Sequence, residues 1–238
     1  MKAEDTSPGL IDGPPLYGRM MTAISFGHTF GNYVRMLKLP FIFTEPRLYA
    51  GAIAQFFWLS EALEMELQQH SGDPMVAKVL ALGLCVTPGY AADLKELLGP
   101  EWRNEAARLR TAATSSYCAV LATANPVSLT AAAFILYGAL VVGGGKTTQA
   151  KVRKVIPMCE HRLFDVAEDM KVARQHFKNT FTSIGKEWPE HFSTLEREAA
   201  RFMALNNSVV LSVRCLGRRV TATVGALVAA GIAIAATF

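Results

Sequence analysis

The chain has 238 residues, 51% of them apolar, enough for one core of about 200 residues with a short appendage. Its net charge is only +4 with histidine neutral, and its basic residues are interspersed with acids, which excludes the clustered basic footprint of a nucleic-acid-binding protein. Four cysteines, Cys85, Cys118, Cys159 and Cys215, stand apart with no C-x-x-C spacing and no zinc-like histidine partner; they read as reduced, mostly buried thiols of a reducing compartment.

In chain order, residues 1–18 form an irregular lead-in, because Ser7-Pro8-Gly9 and Gly13-Pro14-Pro15 break any regular element. No charged stretch followed by an apolar core opens the chain, so a secretory signal is not expected. Helical patterns then follow at 19–37, 45–70, 73–85, 89–98, 101–123, 127–155, 157–184 and 189–215, punctuated by Gly72-Asp73-Pro74, Gly99-Pro100 and Asn125-Pro126. Alternating strand patterns are hardly present and no fixed repeat recurs, so the class is all-α and not a solenoid.

Of five histidines, His70, His161, His176 and His191 stand among polar or charged neighbours and read as solvated surface positions. His28 differs: it follows the apolar Ile24 and Phe26 on the first helix and is flanked by Gly27 and Gly31. A neutral imidazole there is a competent iron ligand, and a satisfied core histidine is the alternative.

Behind the apolar run Leu129–Val142 stands Gly143-Gly144-Gly145-Lys146. Gly145-Lys146-Thr147 matches the end of a phosphate loop, but the required earlier glycine is Leu140, and the run before it is helical where the motif needs a strand. A close helix contact or a membrane-helix glycine face remains open for this stretch.

Val220–Phe238 is a run of 19 residues without a charge, following Arg214, Arg218 and Arg219. Its length suits one bilayer crossing, and the basic flank places residues 1–219 on the cytosolic side. A buried Ala/Gly/Thr-rich helix is the alternative. The expected division is therefore a lead-in over 1–18, a helical domain over 19–215, and a basic flank with tail anchor over 216–238.

The order of several short motifs resembles the heme oxygenase family. A first-helix His28-Thr29 is followed by Glu61-Ala62-Leu63-Glu64-Met65-Glu66, then by Asp93-Leu94, Gly99 and Trp102 in a D-L-x-x-x-x-G-x-x-W-like stretch, and then by Pro126, Leu129, Ala131, Ala133, Tyr137, Gly143 and Gly144 at the spacing of the family's distal helix. The likeness runs from His28 to Asn206, and a tail anchor is also a feature of membrane-bound members. It implies an all-α, heme-oxygenase-like multi-helix bundle with a C-terminal transmembrane helix.

The resemblance further implies that heme is both ligand and substrate, sandwiched between the first helix and the distal helix. His28 would ligate the iron, Gly143 and Gly144 would lie over the distal face, and Tyr137 would belong to the heme-contacting set. Lys178 would pair with a propionate, and Phe202 and Asn206 would line the pocket. The implied reaction opens heme to biliverdin, carbon monoxide and iron, with oxygen and electrons from a reductase partner. The host membrane would be the endoplasmic reticulum or the outer mitochondrial membrane.

The chain departs from the family where chemistry is concentrated. Leu140 stands in place of the distal aspartate that orders water, and a one-residue slip gives only Ala139 or Val141. Leu136 replaces an arginine, Phe134 a tyrosine, and Asn32 the glutamate that steadies the proximal histidine. The basic residue seven positions before the histidine is Met21, with Arg19 nearby. Two expectations follow: an anchored enzyme with water positioned by backbone groups or by Thr147 and Thr148, or a catalytically impaired scaffold that binds heme, or acts without it, as an interaction module on a membrane.

Overall fold

The computed structural model describes residues 14–143 and 145–217. They form helices α1 (Leu16–Ile42), α2 (Pro46–Gln69), α3 (Pro74–Leu80), α4 (Thr87–Leu98), α5 (Trp102–Leu109), α6 (Ala112–Leu121), α7 (Pro126–Val141), α8 (Gly145–Val155), α9 (Met170–Glu187) and α10 (Phe192–Ser212). No strand occurs among the described residues, in agreement with the all-α pattern.

Helix starts follow local chemistry. Proline opens α2, α3 and α7, where its missing N–H would have had no partner in any case. The Asp73, Asn125 and Asp169 side chains accept from the first free backbone amides of α3, α7 and α9, as side-chain caps do. Helix α1 begins earlier than the expected 19, because Leu16 and Met20 are wholly buried. It also continues through Pro40 to Ile42, past the expected end at 37.

Three expected helices are interrupted, two of them by partners distant in sequence. The pattern over 101–123 breaks between α5 and α6, where buried Gln55 donates to Leu109 O at 2.9 Å and accepts from Thr111 N at 2.9 Å. One side-chain amide thus takes over backbone bonds that the helix would have made. The pattern over 127–155 breaks after Val141, and α8 starts at Gly145. The pattern over 157–184 holds only a 3-10 turn at Arg162–Phe164 until α9 begins at Met170.

Helix α7 is enclosed on all sides: Leu129, Ala131, Ala132 and Ala133 are fully buried, as an all-apolar helix at the centre of a bundle should be. Phe134, Phe177 and Phe181 form an aromatic cluster against it, with centroids 4.8 to 5.8 Å apart. Helices α1 and α10 lie side by side and run in the same direction. Arg19 pairs with Glu196 at 2.6 Å near their starts, and Lys38 Nζ donates to the carbonyls of Val210, Leu211 and Val213 at their ends.

All four cysteines are free thiols, but only Cys159 is buried; Cys85 is exposed, and Cys118 and Cys215 are intermediate. Among the described residues no helix is long and apolar enough to cross a membrane. Val220–Phe238, the expected anchor, lies outside the described residues, as do residues 1–13 and Gly144.

Candidate functional site

His28 projects from α1 into solvent, so the buried-core alternative for it does not hold. The Asn32 amide nitrogen lies 3.3 Å from its ring nitrogens. Asn32 sits one helical turn on, which is why it reaches the same ring. The flanking glycines serve a different purpose. Gly27 and Gly31 let α10 approach α1, with Asn207 Nδ2 donating to Gly27 O at 2.8 Å and Asn207 Oδ1 lying over Gly31. The polar residue of α10 that meets α1 here is thus Asn207, next to the expected Asn206.

Two to three turns further along α1, on the side that carries His28, Arg35 and Leu39 border a half-open cavity of about 190 Å³. Ile53 and Phe56 of α2, Leu140 of α7 and Thr148 of α8 complete much of its wall. The end of the first helix and the end of α7 therefore face one space, and hydrocarbon dominates its lining. Leu140 is 8% exposed and belongs to this wall.

Gly143 marks the point where α7 unwinds. Its N–H reaches back five residues to Gly138 O at 3.2 Å, and a β-carbon would lie 2.3 Å from Ala139 O, so no larger residue fits this turn. Lys146, the lysine of the phosphate-loop-like sequence, is paired with Asp165. That pair and the Gln149 hydrogen bond hold the Asp165 carboxyl below its ordinary range, against the opposing effect of burial.

The remaining expected residues are dispersed. Tyr137 is buried, and burial together with the charges of Glu64 and Cys85 pushes its hydroxyl pKa upward, which locates it toward α2 and the loop after α3. Phe202 is fully buried and stacks on Tyr117 at 5.6 Å. Lys178 is exposed on α9, next to buried Phe177.

A second polar group centres on His161. His161 is not solvated but wholly buried, with φ 58°. The Tyr49 hydroxyl lies 3.0 Å from its Nδ1, its Nε2 lies 2.9 Å from Ile156 O, and Gln149 donates to its carbonyl at 3.0 Å. Asp93 completes the turn by accepting from Arg162 N at 2.7 Å and Leu163 N at 2.9 Å. This knot ends the helical pattern expected from 157. Burial raises the Asp93 pKa even though the two backbone donors oppose it.

Asp93, Glu96 and Cys159 bring possible ligand atoms within 4.8 Å of one another. Both Asp93 oxygens accept backbone amides, and Glu96 accepts from Glu160 N at 2.8 Å and from Arg162. The carboxylates act as clips for the 159–163 turn. Glu64 works similarly, accepting from Val86 N at 2.7 Å and Thr87 N at 3.2 Å to fix the start of α4. Two of the short motifs noted in the sequence therefore have structural duties.

A family model described as heme oxygenase matches residues 28–211. Among solved structures, heme oxygenase 2 from Chlamydomonas reinhardtii, solved without heme, is 27% identical, with a TM-score of 0.76 over 85% of this chain and 99% of that one. Heme oxygenase-1 from the cyanobacterium Synechocystis sp. PCC 6803, solved with heme, is 19% identical, with a TM-score of 0.71 over 92% of this chain and 100% of that one. The heme oxygenase from Leptospira interrogans is 16% identical, with a TM-score of 0.70 over 83% of this chain and 98% of that one. Among curated proteins, none matches the chain in sequence.

Proposed function

The chain belongs to the heme oxygenase family, and from that premise we propose that it is a membrane-tethered heme-binding protein in which oxidative ring opening is weak or absent. Three features of the chain support this reading. His28 offers an exposed imidazole on α1, the cavity beyond it is lined mainly by hydrocarbon, and Arg35 and Lys178 are exposed cations suited to carboxylates. Heme would bring the redox iron and, in the family's reaction, be consumed to biliverdin, carbon monoxide and iron.

The chain's own part is to bind and to exclude water. His28 would supply the nitrogen lone pair for the metal, and Asn32 touches the same ring where a carboxylate would make the ligand more basic. Gly143 would let the end of α7 come close to a flat ligand, since its turn leaves no room for a side chain. The observation that carries the reading is Leu140 at the cavity wall. A hydrocarbon side chain neither accepts nor relays a hydrogen bond, so it does not order water as the family's aspartate does.

Thr148 favours a second reading, an active oxygenase served by a reductase. It also lines the cavity, and a hydroxyl can both donate to and accept from a water. The membrane assignment rests on Val220–Phe238, an uncharged run preceded by Arg218 and Arg219, with the domain on the cytosolic side of the endoplasmic reticulum or the outer mitochondrial membrane.

Hemin titration of the full chain in detergent, alongside His28→Ala, tests binding: a Soret band that requires His28 is the expected result. Equal spectra for both proteins remove His28 as the ligand. Adding a reductant under air then separates the two readings, since intact heme supports the first and biliverdin the second.

A further inference from the structure

Helix α1 carries most of its exposed large apolar side chains along one line. Phe26, Phe30, Tyr33, Leu37 and Phe41 are 85%, 44%, 66%, 56% and 50% exposed. Their steps of four, three, four and four residues hold them on one side of the helix, in a ridge about 22 Å long at a rise of about 1.5 Å per residue. By the same spacing His28 projects from the opposite side. Leu211 of α10, 52% exposed, extends the ridge across a shallow groove between the two helices.

The chain leaves the helical domain at one end of this ridge. Lys38 ties the end of α10 to the last turns of α1, and Gly217 packs against the Glu45 carboxylate just beyond Phe41. Val220 follows three residues later and starts the uncharged run. Three extended residues span at most about 11 Å. If Val220–Phe238 enters a bilayer, the Phe41 end of α1 is therefore confined to the headgroup layer. Only the tilt of α1 then decides whether the rest of the ridge meets lipid, and an apolar side chain at every turn favours a helix lying flat.

We propose that the ridge from Phe26 to Phe41 rests in the interfacial layer of the bilayer that receives Val220–Phe238, with the His28 side of α1 turned away from lipid. This rests on the membrane assignment above. It goes beyond that assignment by fixing how the domain lies on the surface, so that heme would enter from the aqueous side and not from the lipid beneath. Aromatic side chains suit such a layer, and Tyr33 can keep its hydroxyl among headgroups.

The test uses the full chain reconstituted in phosphatidylcholine–phosphatidylserine vesicles, with Phe30→Trp or Phe41→Trp as reporters and the parent chain's emission subtracted. Brominated acyl chains are expected to quench both added tryptophans, and both should emit to the blue of a water-exposed indole. Quenching at position 41 alone means that α1 is tilted off the surface, and the proposal fails. Quenching by aqueous iodide without quenching by bromine overturns it as well. Protection from both quenchers shows that protein covers the ridge, either a second copy or the folded-back segment, and that too overturns it. Flotation keeps the two readings apart. A chain that does not float with the vesicles removes the membrane assignment and this inference together, whereas one that floats without bromine quenching removes only the inference.

Discussion

Gly31 of α1 lies so close beneath Asn207 of α10 that a β-carbon on the glycine would stand 2.2 Å from the amide oxygen. Asn207 is held there by its bond to Gly27 O, and its Oδ1 has no hydrogen-bond partner among the described residues.

Gly31→Ala should therefore push Asn207 aside and break the bond to Gly27. An overpacked helix contact of this kind destabilises by about 1–3 kcal/mol. Urea unfolding should show a lower midpoint with an unchanged slope. A midpoint equal to that of the parent would mean that α10 yields freely at this contact.

The two notable histidines should separate cleanly. His28→Ala removes an exposed side chain whose hydrogen-bond contact is with half-buried Asn32 on the same helix, so the thermal midpoint should hold while the hemin Soret band is lost. His161→Ala leaves the Tyr49 hydroxyl and Ile156 O without their buried partner, at about 1–3 kcal/mol per unsatisfied group. Calorimetry on both variants checks the contrast, which collapses if His28→Ala melts as early as His161→Ala.

Leu140→Asp places a carboxyl at the cavity wall where the family carries one. Biliverdin yield under reductant and air should rise above that of the parent, while stability falls by about 2–5 kcal/mol, as for loss of a buried leucine. A folded variant that binds hemin and gains no turnover would show that Leu140 is not what limits the reaction.

Cys159 offers a pH readout. Burial pushes its thiol up to about 12, although the His161 backbone amide opposes the shift, so the native side chain stays protonated near neutral pH. The unfolded thiol ionises near about 8.5. The native state therefore holds the proton longer, and this group's contribution to stability declines as pH rises from the unfolded value toward the native one. Mass spectrometry after iodoacetamide at mildly alkaline pH should find Cys159 unmodified until urea unfolds the chain. Labelling of the native protein at Cys159 contradicts the buried turn.

The parts of the fold legible in the sequence are those fixed by neighbours a few residues away. Asn125-Pro126 announces α7, and its unbroken apolar run implies the enclosure that α7 has. The breaks at Arg110 and around His161 were not legible, because Gln55 and Asp93 impose them from 54 to 70 residues away. In the site, the leucine at position 140 could be read from its spacing to Tyr137 and Gly143. Tyr137 and Phe202 could not be assigned, since an aromatic at helical spacing looks the same whether it touches a ligand or, as Phe202 does with Tyr117, another ring.

Lys38 caps the last carbonyls of α10 from ten residues beyond His28 on the same helix. Force applied to the chain past Gly217 is thus shared between the helix bearing the imidazole, through Lys38, the start of α2, through Glu45, and the start of α6, through Thr111. The departing chain is therefore moored to three elements at once, and a pull on it is spread over the domain rather than concentrated on His28.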